Sequence, residues 1–184
     1  MNYNLKNYLQ VYDNYLDANF CNKIVSASKE VTWDLHRYYT PDGNYVRTDN
    51  ELSITYDSMK ETEELQEAVR HLLIHYYSTF KFPWFSRWSN RSEIRYNKYD
   101  QNTSMKLHCD HIHDLFDGEQ KGIPILSVVG CLNEDYTGGE FIMWDEVIPV
   151  KQGTIMIFPS NFLYPHGVRP VVSGTRLSFV QWVW

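Results

Sequence analysis

Residues 153–184 read GTIMIFPSNFLYPHGVRPVVSGTRLSFVQWVW, and the fold turns on how this stretch is read. Two runs rich in β-branched and aromatic residues, TIMIFP and RLSFVQWVW, flank a segment punctuated by Asn, Pro and Gly, the pattern of short strands joined by turns. The pattern recurs upstream in SEIRYNKY (92–99), TSMKLHCD (103–110), IPILSVVGCL (123–132) and GGEFIMW (138–144). Many short strands separated by turn residues predict a β-sandwich or jelly roll.

Before about residue 82 the periodicity is helical. Asp17 is a reasonable N-cap for a helix in which Phe20, Ile24 and Val25 recur at helical spacing through about Lys29. Ser58 and Glu61 have the spacing of a capping box, followed by one apolar stripe of Leu65, Val69, Leu72, Leu73, Tyr76 and Phe80. His71 and His75 on that helix have an i,i+4 spacing that can hold zinc, but no third ligand is nearby, and a surface pair is the simpler reading. Between the helices, HRYYTPDGNYVRTDN (36–50) carries Pro-Asp-Gly turn chemistry flanked by tyrosines, which reads as a hairpin or long loop, either a lid or a connection. The expected fold class is α+β, a jelly-roll core mostly in 82–184 with N-terminal helices packed on one face, the helical scaffold lying mostly in 1–81. No repeat or linker divides the chain, so 1–184 reads as a single domain.

The formal charge of −6, with both signs intermixed, gives no general electrostatic reason to expect a nucleic-acid partner. Arg87, Arg91, Arg95 and Lys98 do interleave with aromatics in FSRWSNRSEIRYNKY, a pattern that fits single-stranded nucleic acid, but a strand with one wet face explains it more simply. The three cysteines, Cys21, Cys109 and Cys131, are odd in number and widely spaced, and MNYNLKNYLQ lacks the layout of a secretion signal. A reducing, cytoplasmic location is expected. No run approaches the roughly 18 apolar residues of a membrane span, so no membrane partner is expected.

KLHCDHIHD (106–114) crowds three histidines and two aspartates into nine positions. Strand alternation puts His108 and Asp110 on one face and turns Cys109 away. His166, in LYPHGV, completes two imidazoles and one carboxylate if its strand is a neighbour, the facial triad that suits non-haem Fe(II) in oxygen chemistry. A chelating 2-oxo acid can fill two of the open positions and O2 the third. Its distal carboxylate then needs a cation, and Arg176, across the turn VRPVVSG at the start of RLSFVQW, can bind it bidentately. Ser178 and Trp182 share the strand face of Arg176, placing a hydroxyl near the carboxylate and an aromatic near the metal. His111, His113 and Asp114 read as the start of a polar loop beside the site.

These residues, with the phrases YTGGEF and HGVRPVVSGTRLSF, resemble the 2-oxoglutarate- and Fe(II)-dependent dioxygenases, specifically the prolyl 4-hydroxylase-like branch. The resemblance is closest over Glu93 to Trp184 and extends weakly to YLDANFCNKIV. It implies a double-stranded β-helix core, iron held by His108, Asp110 and His166, and 2-oxoglutarate held by Arg176, with ascorbate as reductant. Tyr99 occupies the place of a tyrosine that binds the same carboxylate, with Tyr96 as its rival. Two departures stand out. Arg176 replaces the lysine of many prolyl 4-hydroxylases, and the two are not interchangeable within one pocket; Cys131 stands where some relatives place a second cosubstrate-binding tyrosine.

The resemblance also implies a prolyl residue of a peptide or protein as substrate. A free amino acid or other small molecule is the alternative substrate. A non-oxygenase cupin is the alternative class, though cupins generally present H-x-H with a later Glu and His. The 36–50 segment and the loop after Asp110 are the pieces placed to close over substrate.

Overall fold

A computed structural model describes residues 4–39, 45–47, 50–85, 88–110 and 123–184. The N-terminal part contains strands β1 (Gln10–Tyr12), β2 (Asp34–Leu35), β3 (Arg37–Tyr39), β4 (Tyr45–Arg47) and β5 (Ser53–Thr55), with helices α1 (Ala18–Ala27) and α2 (Thr62–Phe80). Strands β6 (Arg95–Tyr99), β7 (Met105–His108), β8 (Leu126–Cys131), β9 (Thr137–Gly138) and β10 (Phe141–Met143) follow. The C-terminal part adds β11 (Glu146–Val147), β12 (Ile155–Pro159), β13 (His166–Val168), β14 (Val171–Ser173) and β15 (Arg176–Val183).

Two antiparallel sheets form a double-stranded β-helix. The larger runs β1-β12-β8-β15-β6-β5-β2 and the smaller β11-β10-β13-β7, while β9 pairs with β14. Period-2 alternation divides the interior in two. On β15, Leu177, Phe179 and Val183 face the helices, packed with Cys21 and Ile24 of α1 and Leu65, Val69, Leu72 and Leu73 of α2. From the other face Val180 joins Val129, Met156, Phe158, Phe141 and Val168 between the sheets. A helix layer on one face and a site-bearing interior on the other follow from that single alternation.

Phe179 shows how tightly the helix-facing layer is built. It lies directly across from Gly130 in the β15–β8 pairing, and a Cβ at that glycine would sit 2.0 Å from the Phe179 ring. The β8 position must therefore be bare for the ring to lie flat on the sheet. Gly138 and Gly139 supply a different need, with φ of +71° and +65° at the entry to β10, where side chains are strained.

Three expectations need correction. The N-terminal part is not helical alone: besides α1 and α2, its strands β1, β2 and β5 extend the large sheet. Short strands of two or three residues carry too little period-2 signal to read in sequence. The Ser58–Glu61 capping box does not form either. Glu61 is the N-cap without a side-chain cap, while the Thr62 hydroxyl accepts from Met59 N at 2.9 Å and bonds the Tyr96 hydroxyl at 2.9 Å. Finally, the basic residues Arg91, Arg95 and Lys98 do not share one face: Arg91 donates to Gln66 O, Lys98 lies over Trp33, and Arg95 turns inward, while Arg87 lies outside the described residues. Asp17 does cap α1, accepting from Asn19 N and Phe20 N. The 36–50 segment is a hairpin, β3 pairing with β4, and its Pro41-Asp42-Gly43 tip lies outside the described residues.

Candidate metal centre and its cavity

His108 ends β7 and His166 begins β13, and the two are paired directly across the small sheet. Their ring centroids lie 4.5 Å apart. Asp110, two residues past the end of β7, approaches both, with Oδ1 3.4 Å from His108 Nε2 and Oδ2 3.6 Å from His166 Nε2. Three potential ligand atoms from these residues lie within 4.8 Å of one another. The long-range pairing thus makes a cluster of residues 58 positions apart, as the sequence pattern anticipates.

The imidazoles are oriented for coordination. Nδ1 of His108 is 2.8 Å from Lys106 O, and Nδ1 of His166 is 3.0 Å from Tyr164 O. A carbonyl only accepts, so each Nδ1 carries a proton; each Nε2, facing Asp110, offers a lone pair when the ring is neutral and donates to the carboxylate when the ring is protonated. The rings of Phe141 and Phe158 wedge His166 in place, at 5.6 and 4.9 Å between centroids. Burial, which favours the neutral ring, outweighs the Asp110 carboxylate and holds the His166 pKa below its ordinary value. Asp110 is itself buried, which favours its neutral form. The facing His166, the His108 hydrogen bond and Ser127 overcome that and hold the carboxyl well below the usual carboxylate range.

Ser127 and Ser160 stand beside the cluster, although the sequence pattern does not single them out. Ser127 Oγ donates to Asp110 Oδ2 at 2.7 Å and lies 2.7 Å from Ser160 Oγ. The available signal was a lone hydroxyl on the inward face of the apolar run ILSVVG, opposite Trp182 on β15.

Arg176 stands at the other end of the same cavity. It begins β15 opposite Tyr99 on β6, and its guanidinium lies 5.2 Å from the Tyr99 ring centroid. Asn133 fixes this strand end, accepting from Leu177 N at 2.7 Å and donating to Thr175 O at 2.7 Å. Arg176 is 1% exposed, donates from one terminal nitrogen to Ser178 Oγ at 2.9 Å, and leaves Nε without a partner. No ion pair among the described residues engages it. A buried, unpaired guanidinium is costly unless a carboxylate arrives to meet it.

Tyr99, Asn97, Arg95, Val129, Phe141, His108, Asp110, His166, Arg176 and Ser178 line one cavity of about 30 Å³. Trp182 does not line it directly; Arg95 covers its indole at 4.6 Å. Tyr96 faces the helix layer instead, bonded to Thr62. Cys131 Sγ lies 3.7 Å from the Tyr136 hydroxyl, so a tyrosine from YTGGEF approaches where the strand itself offers a thiol. Burial pushes the Tyr136 phenol up to about 12 against the pull of Arg176. His111, His113 and Asp114, with the rest of the loop after Asp110, lie outside the described residues. His71 and His75 are both exposed on α2, and His71 lies 2.9 Å from an Arg70 nitrogen.

The family model of the 2OG-Fe(II) oxygenase superfamily matches residues 94–184, the span that carries every residue of this cavity from Arg95 onward. The chain belongs to that superfamily through its C-terminal half. A PKHD-type hydroxylase of Idiomarina loihiensis is 30% identical over 96 residues, 50% of this chain and 42% of that one. Another from Crocosphaera subtropica is 33% identical over 96 residues, 49% of this chain and 41% of that one. The chain therefore spans less than half the length of these curated relatives. Among solved structures, a prolyl hydroxylase of Trichoplax adhaerens in complex with a peptide of hypoxia inducible factor superposes with TM-score 0.73 at 15% identity, covering 97% of this chain and 84% of that one. A viral collagen prolyl hydroxylase from Paramecium bursaria Chlorella virus-1 gives 0.66 at 17% identity, covering 96% and 94%. The oxygenase fold is prolyl hydroxylase-like over nearly the whole chain. No helix among the described residues is long and apolar enough to cross a membrane.

Proposed function

We propose that the protein is an Fe(II)- and 2-oxoglutarate-dependent dioxygenase that hydroxylates a C–H bond of a prolyl residue in a peptide or protein. One observation carries the reading: a two-imidazole, one-carboxylate cluster and a buried, unpaired guanidinium share a single cavity. The donor set fits Fe(II), and Arg176 fits the distal carboxylate of a 2-oxo diacid.

With iron and 2-oxoglutarate bound, the site supplies oxidation: one oxygen atom of O2 enters substrate as hydroxyl and the other enters succinate as CO2 is released. The chain's own residues provide placement. His108, Asp110 and His166 hold the metal on one side and leave the other open, with Ser127 fixing the Asp110 oxygen that does not face His108. Arg176 and Ser178 receive the distal carboxylate, and Tyr99 backs the guanidinium. The apolar walls from Val129, Phe141 and Val168 exclude water from the reacting end. Ascorbate serves as the reductant that keeps iron ferrous between turnovers. The three unpaired cysteines fit a reducing cytoplasmic location.

The prolyl substrate is supported by the likeness to prolyl hydroxylase folds, one of them in complex with a peptide. The test is mass spectrometry of proline-rich peptides and of free proline after incubation with the iron-loaded protein, 2-oxoglutarate and ascorbate. Gain of one oxygen atom on proline in a peptide supports the reading; gain on free proline alone replaces it with a small-molecule hydroxylase.

A further inference from the structure

The cavity holds a second guanidinium that the chemistry above leaves unused. Arg95 projects inward from β6, opposite Val180, four residues from Tyr99 on the same strand. At 3.2–3.4 Å per residue this places it roughly 13 Å along the strand from the Arg176 end. It lines the same cavity as His108, Asp110 and His166.

Arg95 is held in place without being neutralised. Its Nε donates to Asn97 Oδ1 at 3.1 Å, and its guanidinium lies 4.6 Å above the Trp182 ring. Its two terminal nitrogens have no hydrogen-bond partner among the described residues, and none of the ion pairs there includes it. The nearby Glu51 carboxylate is bonded to His36 at 3.0 Å. A stacked guanidinium whose terminal nitrogens are free is preorganised to receive a planar anion bidentately.

We propose that Arg95 binds a carboxylate of the substrate to be oxidised, so that this enzyme acts on carboxylate-bearing molecules. The inference rests on the oxygenase reading, which already commits the distal carboxylate of 2-oxoglutarate to Arg176. Three sources share the chemistry: an acidic side chain beside the target proline, the C-terminal carboxylate of a peptide, and the carboxylate of a free amino acid.

Calorimetric binding to the iron-loaded, 2-oxoglutarate-bound protein under nitrogen separates them. The probes are an acetylated, amidated prolyl pentapeptide with Glu or Gln beside proline, the Gln peptide with its C-terminus free or amidated, and L-proline or L-prolinamide. In at least one pair the carboxylate member is expected to bind about tenfold or more tightly than its neutral mate, as a charge-assisted contact allows. The discriminating pair identifies the source. Arg95→Gln should erase that preference and Arg95→Lys restore part of it, while 2-oxoglutarate affinity changes less than about twofold. Absence of a preference in every pair, or a preference that survives Arg95→Gln, overturns the inference and leaves the oxygenase reading standing. Failure of the wild-type protein to bind 2-oxoglutarate at all removes that reading instead, and this inference with it.

Discussion

Ser127 on β8 donates to the Oδ2 oxygen of Asp110 at 2.7 Å and is itself 2.7 Å from Ser160. This hydrogen bond ties the carboxylate of the candidate metal centre to the large sheet, although Asp110 lies beyond the end of its own strand. Partners of this kind, which orient a ligand, typically account for 10–100-fold in metal affinity. Ser127→Ala is therefore expected to weaken Fe(II) or Zn(II) binding by about 10–100-fold while the protein remains folded. Competition against a chelator of known affinity measures it, and unchanged affinity contradicts the role given to Ser127.

Arg176 is a buried cation whose energetic justification is its ligand. Arg176→Met should abolish the thermal stabilisation that 2-oxoglutarate gives the wild-type protein, about 2.7 kcal/mol at a hundred times its Kd. It should leave the cosubstrate-free protein no less stable, because replacing an unpaired buried charge with an apolar group of similar length removes a desolvation cost. Denaturation with and without 2-oxoglutarate reads both effects. A variant that still responds to 2-oxoglutarate takes Arg176 out of the cosubstrate site.

How much of this was legible beforehand depends on the range of the signal. The H-x-D pair, His166 and Arg176 could be read because the residue types and spacings are chemically distinctive, even though Asp110 lies past the end of β7 and outside strict strand alternation. The six long strand runs were legible from their β-branched and aromatic residues between turn residues. Strands β1, β2 and β5 were not, since two or three residues form a strand only when a neighbouring strand is there to pair with. Ser127, Ser160 and Arg95 escaped because their meaning comes from register: only the β8–β15–β6 alignment shows that a serine in an apolar run points at Asp110, or that an arginine in an alternating basic stretch points inward. The expected capping box failed for a tertiary reason, Thr62 being committed to Met59 and to the hydroxyl of Tyr96.

The contact between Phe179 and Gly130 makes a prediction about stability alone. A methyl group at Gly130 would need the fully buried ring to move, and the helices above it allow little room. Gly130→Ala should cost about 1–3 kcal/mol. Urea denaturation would show it as a lowered midpoint with an unchanged slope; a midpoint equal to that of wild type contradicts the packing described.

His36 predicts a pH dependence. It is buried 3.0 Å from Glu51, and burial, reinforced by Arg95, holds its pKa below the ordinary value of 6.5. As pH falls through about 6.5 the unfolded chain takes up a proton that the folded state still refuses, so stability decreases, and the decrease ends only below the folded pKa. In metal-free protein His166, also held low by burial, adds a slope of the same sign, and His108, raised by Asp110 against burial, adds one of the opposite sign. Denaturation midpoints between about pH 7.5 and 5.5 should therefore fall in the wild type and fall less steeply in His36→Asn. An identical slope in the variant would remove His36 from this role.

The central claim is that His108, Asp110 and His166 hold the iron that couples 2-oxoglutarate oxidation to substrate. Succinate formed from 2-oxoglutarate, measured with the iron-loaded protein and ascorbate beside the Asp110→Ala variant, tests it most directly. The account predicts iron-dependent succinate from the wild type and a rate indistinguishable from the protein-free background for Asp110→Ala. Equal succinate from both proteins, or none from the wild type, would contradict it.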